Sequence, residues 1–392
     1  MRQIYIVSGV RTAVGTFGGA LADIPPSTLA AAVCKEAVSR SGVDPEAIGL
    51  AVFGNVIHTD RRDPFLARVA ALDAGLPQGV SAVTVNRLCG SGMQAFIQAA
   101  QGIMLGDAEI AVAGGAESMS RAPLLAQSAR FGRKLGDQML ADMLNGALTD
   151  PFLDVLMGVT AENVAGTYGI SREMQDASAL ESHRRASQAI RNGHFREQIL
   201  PVKIRSRGKT ALFSEDEHVR HDAELADFQK LRTVFAADGS VTAGNASGIN
   251  DGAAALVLAS GEAVEKYGLT PMARLCAYGQ AGVDPAHMGI GPVPASRQAL
   301  ERAGAAVEAL DVVESNEAFA AQACAVAQQL GLDPARTNPN GSGISLGHPI
   351  GASGAILLVK LAYELRRTGG RTGLATMCIG GGQGIATVLE CV

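Results

Sequence analysis

Val83-Thr84-Val85-Asn86-Arg87-Leu88-Cys89-Gly90-Ser91-Gly92 is the stretch on which the fold turns. Val83 to Leu88 reads as a strand, and the helix-forming run Ser91 to Leu105 follows at once. A cysteine at such a junction stands at the rim of a sheet, with backbone amides nearby and glycines that let a ligand approach. About 290 residues later a second one occurs, in Leu374-Ala375-Thr376-Met377-Cys378-Ile379-Gly380-Gly381-Gly382. Two such thiols, with a histidine loop between them in the sequence, suggest a divided job.

Outward from this stretch, strand and helix signals alternate. Ile4 to Ser8, Leu50 to Asn55 and Ile110 to Ala113 read as strands, the last closed by Gly114-Gly115, and Ser27 to Arg40 reads as a helix. Alternation resumes after Gly252 with strands Ala253 to Leu258, Ala273 to Tyr278 and Leu374 to Met377. Helices are expected at Ser296 to Gly304, Ala318 to Leu330 and Ile350 to Arg367. Such alternation suggests parallel βαβ units covered on both faces. Between them, Arg121 to Arg232 carries many charges and most of the histidines and reads as a helical and loop insertion. Within it Ser171 to Asn192 forms one amphipathic helix, capped by Ser171 and stopped at Gly193. Asn86 with Gly90-Ser91-Gly92 echoes Asn338 with Gly341-Ser342-Gly343. The echo suggests an internal duplication that places the two cysteines near a pseudo-twofold axis.

Composition narrows the function. A net charge of −5 argues against a general nucleic-acid binder. Six cysteines lack disulfide-framework or CxxC spacing, so a reduced, cytoplasmic protein without a zinc site is expected. No apolar run is long enough to span a bilayer. The loop after Cys378 lacks the Lys-Ser/Thr ending of a P-loop, and no complete dinucleotide fingerprint occurs.

Several residues carry chemistry. A free cysteine is commonly a small buried hydrophobe, but Cys89 precedes a helix whose amide dipoles aim at the thiol, which predicts a lowered pKa. His348, in Gly347-His348-Pro349, sits in a constrained loop where a neutral imidazole can take a thiol proton; the other six histidines read as surface residues. Cys378 can act as a base, with the Gly380 amide aimed at a developing oxyanion. Asn316 and Glu317 open a helix, either as plain caps or with Asn316 orienting a water.

In combination these motifs resemble the thiolases, the acetyl-CoA C-acyltransferase family. The resemblance runs from Arg11-Thr12 to the last strand. It rests on Asn86 to Gly92, Gly114-Gly115-Ala116-Glu117-Ser118-Met119-Ser120, Asn316-Glu317-Ala318-Phe319-Ala320, Gly347-His348-Pro349 and Cys378 to Gly382. It implies an α/β thiolase fold: two duplicated βαβαβαββ domains with five-stranded mixed sheets, layered αβαβα, and an inserted loop domain. The expected boundaries are 1–120 with 250–270, the insertion 121–249, and 271–392.

The resemblance also implies reversible Claisen condensation and thiolytic cleavage of 3-ketoacyl-CoA by a ping-pong acyl-cysteine mechanism. Cys89 would be the nucleophile activated by His348, and Cys378 would move the α-proton. The amides of Cys89 and Gly380 would form one oxyanion hole, His348 and a water on Asn316 the other. Acyl-CoA, acetyl-CoA and CoA would be substrates, with no metal or redox cofactor and no nucleic-acid or membrane partner. CoA contacts would come from Leu148, Met157, Arg220, Phe235, Ala243, Ser247, Met288, Ala318 and Phe319. A homotetramer, a dimer of dimers, is implied, with Pro123 to Leu148 as a candidate contact. Three positions depart from the family pattern: Leu156 stands where biosynthetic members carry His, Asp227 where a Ser is often seen, and Ser315 in place of an Ala. Leu156 looks more like the degradative branch of fatty-acid metabolism. The alternatives are a 3-ketoacyl-ACP synthase-like condensing enzyme, which generally uses a Cys-His-His set, and a non-catalytic acyl-CoA-binding protein, which has little need of three reactive side chains.

Overall fold

The computed structural model describes residues 2–132, 134–206 and 208–392. Its main sheet is built from β1 (Ile4–Thr12), β2 (Leu50–Gly54), β3 (Ser81–Val85), β4 (Ile110–Ser118), β5 (Asn250–Ser260), β6 (Ala273–Gly282), β7 (Val312–Ser315), β8 (Thr372–Ile379) and β9 (Gln383–Cys391). The helices that matter for the site are α1 (Pro26–Ser41), α2 (Leu66–Asp73), α3 (Ser91–Leu105), α4 (Met157–Tyr168), α5 (Arg172–Arg191), α6 (Pro292–Ala303), α7 (Ala320–Leu330) and α8 (Ile350–Thr368).

The spatial order is β7-β8-β9-β6-β1-β5-β4-β2-β3. Strands β3, β2 and β4 run parallel, as do β7 and β8, but β4-β5-β1 and β8-β9-β6 are antiparallel. Alternation alone had suggested parallel units throughout; each half instead returns through antiparallel strands, giving the mixed sheet of the family pattern. The first half contributes five strands. The second contributes four, its fifth position reduced to a single bridge between Val313 and Thr337. Antiparallel pairing of Tyr5 with Arg274 and Ile6 with Ala273 joins the two halves edge to edge.

Period-two alternation sorts the strands' side chains into layers. On β5, Ala253, Ala255, Val257 and Ala259 face α1 and α2, while Ala254, Leu256 and Leu258 face a central layer made of α3 and α8. That layer buries Met93, Phe96, Ile97 and Ile103 from α3 against Leu357, Leu358, Leu361 and Leu365 from α8. Each such aliphatic or aromatic side chain contributes roughly 1.5–3 kcal/mol. The outer face of the second half is covered by α6 and α7.

Several boundaries differ from the sequence reading, two of them beside the site. The third strand ends at Val85 rather than Leu88, so Cys89 sits in a turn after the strand. The fourth runs through Gly114-Gly115 to Ser118. A Cβ on Gly114 would strike the Phe53 ring and the Ala254 carbonyl, and one on Gly115 would strike the backbone of α8 at Gly351. Gly115 thus admits a neighbouring helix and Gly114 its neighbouring strands, rather than ending a strand. The last strand, β9, and the helices α2 and α4 were not foreseen. By contrast α5 begins where expected, with Ser171 Oγ accepting from Met174 N at 3.3 Å.

The ladders also fix the internal symmetry. Gly54 pairs with Gly115 in the first half, and Ser315 with Thr376 in the second. Counting on from these pairs, Asn55 matches Asn316 and Glu117 matches Cys378; Gly252 faces Glu117 as Gly384 faces Cys378. Cys89 and His348 each stand two residues before α3 and α8. The sequence echo was therefore out of register: the mate of Cys89 is His348, not a residue of the Gly341-Ser342-Gly343 turn.

Candidate active site

The turn carrying Cys89 is pinned from both sides. Leu88 N donates to Asn86 Oδ1 at 3.0 Å, Arg87 N to Ser91 Oγ at 2.8 Å, and Ser91 Oγ to the Leu88 carbonyl at 2.7 Å. Leu88 is held at φ 44°, a left-handed conformation that costs a residue with a side chain. Arg87 reaches across the halves, donating to Gln94 Oε1 at 2.7 Å and to Gln383 Oε1 at 3.0 Å, in the loop beyond Cys378. A Cβ at position 380 would meet the Met157 methyl at 2.6 Å, so a larger residue there would displace the Met157 side chain.

The Gly380 amide and the Cys89 amide lie near enough to the Cys89 sulfur to favour its anion. Their pull lowers the thiol pKa, but loss of water around the sulfur outweighs it, and Glu117 adds to the rise: the thiol is pushed up to about 11. The expectation of an acidified thiol is overturned. The amides are present as anticipated; desolvation is the larger effect. Cys378, fully buried at the end of β8, is pushed up further by burial and by the neighbouring Cys89. That coupling and the Gly380 contact put the two thiols in one site.

His348 is buried, and burial alone lowers it to about 4, so the imidazole rests neutral. Ser353 Oγ donates to the Pro349 carbonyl at 2.8 Å and therefore receives the 2.6 Å hydrogen bond from His348 Nδ1. The bare Nε2 faces Asn316 Nδ2 at 3.5 Å. A neutral imidazole with Nε2 free is a proton acceptor. Asn250 Oδ1 accepts from His348 N at 2.9 Å and fixes the loop's backbone. Behind Asn316, Glu317 accepts from Ser182 Oγ at 2.6 Å and Asn338 Nδ2 at 3.1 Å. Glu317 is thus tied into the wall, and Asn316 stands at the site.

A cavity of about 400 Å³ opens beside His348. Leu148, Met157, Phe235, Ala243, Ser247 and Phe319 line it, as anticipated. Met288 and Ala318 pack with Met157 around Cys378 at its inner end. Arg220 is exposed and lies outside the lining; its amide donates to His183 Nδ1 at 3.1 Å. Leu156, one of the three departures, lines the cavity. Asp227 caps the short helix Leu225–Gln229 and pairs with Lys230 at 2.7 Å.

Sequence reasoning missed Ser353, Asn250 and the anchoring role of Glu117, all set by contacts between distant segments. A serine within the apolar start of α8 was the one local signal. The surface assignment of the other histidines fails for His183 and His218. Their rings stack at 6.4 Å beneath the 217–221 loop, and burial lowers both pKa values, His183 to about 3.

Comparison with known proteins agrees with this geometry. The profile described as thiolase, N-terminal domain, matches residues 4–262, and that described as thiolase, C-terminal domain, matches 269–391. The chain belongs to the thiolase family. As a thiolase it is an acyltransferase. It is 60% identical over 390 residues to the beta-ketothiolase BktB of Cupriavidus necator, covering 99% of each chain. The human mitochondrial 3-ketoacyl-CoA thiolase superposes with a TM-score of 0.98 at 43% identity, over 100% of this chain and 99% of that one. The same human enzyme in complex with CoA gives 0.96 at 44% identity, over 100% and 98%.

Proposed function

We propose that this thiolase cleaves 3-ketoacyl-CoA with CoA, and runs the reverse Claisen condensation of acyl-CoA with acetyl-CoA, through an acyl group on Cys89. The observation that carries this reading is the approach of Cys378 and the Gly380 amide to Cys89, beside a cavity lined by a neutral His348 and by Met157, which packs on Cys378. In thiolysis, His348 Nε2 takes the Cys89 proton as sulfur attacks the ketone carbon. The oxyanion forms where the tetrahedral centre faces donors. The bond to the α-carbon then breaks, Cys378 protonates that carbon, and acetyl-CoA leaves. CoA next attacks the acyl-Cys89, its thiol proton passing to the Cys378 thiolate, and the released Cys89 regains its proton from His348. Because both thiols rest protonated, the thiolate arises only as substrate arrives.

The human relative solved in complex with CoA supports CoA as the ligand, and the cavity lined by Met157, Phe235, Ala243 and Ser247 would take its pantetheine arm. Arg220 would meet the nucleotide end from outside the cavity. Leu156 adds an apolar wall in place of a polar group, favouring acyl chains longer than acetoacetyl. Three units follow the elements: 1–120 with 250–270, the insertion 121–249, and 271–392. The open edge strand β3 and the exposed Leu124, Leu125, Phe131 and Met139 support a tetramer assembled through both surfaces. Six free cysteines support a cytoplasmic setting; among the described residues no helix is long and apolar enough to cross a membrane.

The test is loss of the enolate absorbance of acetoacetyl-CoA on adding CoA, with a kcat/KM series over longer 3-ketoacyl-CoA chains and Leu156→His alongside. An acyl adduct on Cys89 by mass spectrometry is expected. Turnover without any adduct, or with Cys89→Ala, removes the assignment. A kcat/KM ratio between chain lengths that Leu156→His leaves unmoved removes the role given to Leu156.

A further inference from the structure

The position that carries Cys378 in the second half carries Glu117 in the first, and Glu117 is completely buried. Its Oε1 accepts from Ile57 N at 3.0 Å and Asn55 Nδ2 at 3.2 Å. Its Oε2 accepts from Val56 N at 3.1 Å and Gly351 N at 2.8 Å. All four partners are N–H donors, an arrangement that suits an ionised carboxylate and leaves a neutral acid's proton without an acceptor. Burial pushes Glu117 up to about 8, against which three backbone amides pull down. The geometry of the donors favours the anion.

Gly351 N belongs to the first turn of α8, which has no side-chain cap of its own. Glu117 therefore caps that helix from the other half of the chain. A side chain on Gly351 would collide with this carboxylate, so the close approach is built into both partners. Three residues before Gly351 stands His348. The same carboxylate fixes Asn55 to Ile57 at the end of β2 and opposes ionisation of Cys89. Both members of the Cys89–His348 pair thus feel one group.

We propose that Glu117 is a positioning residue: it sets the His348 loop against Cys89 across the domain boundary, and its charge adds to the burial that keeps the Cys89 thiol protonated until substrate binds. The proposal rests on the assignment of Cys89 as nucleophile and His348 as base. The other ionisable groups are Asp63, a like charge that disfavours ionisation of Glu117, and Cys378, coupled to Cys89.

The test is Glu117→Gln. An amide in that pocket turns two N–H groups toward two others, so the loops separate. We expect kcat to fall at least tenfold with KM for the acyl-CoA nearly unchanged, and the midpoint of Cys89 alkylation by iodoacetamide to move to lower pH. A merely structural role would lower stability without moving that midpoint. Glu117→Asp, which keeps the charge, should restore the midpoint but only part of kcat. Wild-type kcat, or an unmoved midpoint, in Glu117→Gln overturns the proposal. If that variant does not fold, Asn55→Ala decides: one donor is lost and the charge retained, so kcat falls about threefold with the midpoint in place, and wild-type kcat overturns the positioning role. Acyl-Cys89 in the wild-type protein tests the nucleophile assignment separately, whichever way the Glu117 result falls.

Discussion

Asn55, Cys89 and Glu117 occupy in the first half the places that Asn316, His348 and Cys378 occupy in the second, and the two sets meet different surroundings. Glu117 is saturated by four N–H donors, and Asn55 Nδ2 is spent on Glu117 and the Ala116 carbonyl at 3.0 Å, while the buried Asn55 Oδ1 has no hydrogen-bond partner. At the matching strand ends, Asn316 Nδ2 faces His348 Nε2 at 3.5 Å and Cys378 lies close enough to Cys89 to feel its charge. A duplicated frame thus offers two symmetric sets of positions. The reactive set takes its nucleophile from one half and its base, amide and second thiol from the other. What separates a latch from a reactive group is how many of its hydrogen-bonding sites the protein itself fills.

The largest effect should come from removing the one reactive member of the first half. Cys89→Ala is expected to lower turnover by about 10⁴-fold or more, since covalent transfer is lost. Cys378→Ala should still acquire an acyl group on Cys89 while losing about 10²–10⁴-fold in the step that moves the α-proton. Acyl-enzyme mass spectrometry beside steady-state rates separates the two. If both variants lack the adduct, the division of labour between halves is wrong.

A second contrast lies deeper. Lys360 in α8 is twelve residues past His348, where the first half has Gln101, and Glu314 matches Phe53. Lys360 Nζ donates to Glu314 Oε2 at 2.6 Å and to the Gly341 carbonyl at 2.7 Å, with both side chains almost fully buried. Glu314 is pushed up to about 7 by burial, with Lys360 pulling the other way. Lys360→Met leaves that carboxylate alone and should cost about 3–5 kcal/mol, measured by urea unfolding. Adding Glu314→Leu should recover much of it, because the first half manages the same site without ions. Loss without recovery would show that the pair is needed for packing in the second half alone.

Acid should expose the His348 side of the comparison. Folded His348 lies near 4 and an unfolded histidine near 6.5, so the unfolded chain takes up the proton first. Stability is therefore full above about pH 6.5 and declines as pH falls toward 4, by about 3 kcal/mol for this residue. His183, lowered to about 3 by burial and by His218, Arg220 and His221, gives a slope of the same sign. Urea unfolding at several pH values should show His348→Asn losing roughly half of the slope. An unchanged slope in that variant would mean that the imidazole is not held neutral.

These contrasts mark what the residues reveal on inspection. Alternating segments were legible because strand period, helix caps and turn glycines act locally, whereas Leu148, Met157, Phe235, Ala243, Ser247 and Phe319, which line the cavity, came from the family resemblance of the five motifs. A glycine that admits another backbone, such as Gly115, looked like a strand end because the incoming helix lies more than 200 residues away. Cys89 was expected to be acidic because a helix start is visible in sequence, whereas the burial that dominates arises from the assembled halves. The true mate of Cys89 was hidden because His348 shares its place and not its chemistry.

The smallest expected effect tests how that shared place is used. Five residues past Cys89 stands Gln94, which holds Arg87 beside the nucleophile; five past His348 stands Ser353, which holds the imidazole through Nδ1. Ser353 Oγ already donates to the Pro349 carbonyl, so it can only accept from His348, and that choice leaves Nε2 without a proton. Ser353→Ala frees the ring to take the other tautomer, in which Nε2–H cannot receive the Cys89 proton. The expected result is a fall of about tenfold in kcat, near 1.4 kcal/mol, with KM unmoved. Ser353→Thr, which keeps a hydroxyl at the same depth, should recover most of the rate. Wild-type kcat and pH profile in Ser353→Ala would mean that Asn316 and Asn250 orient the imidazole without help from its own helix.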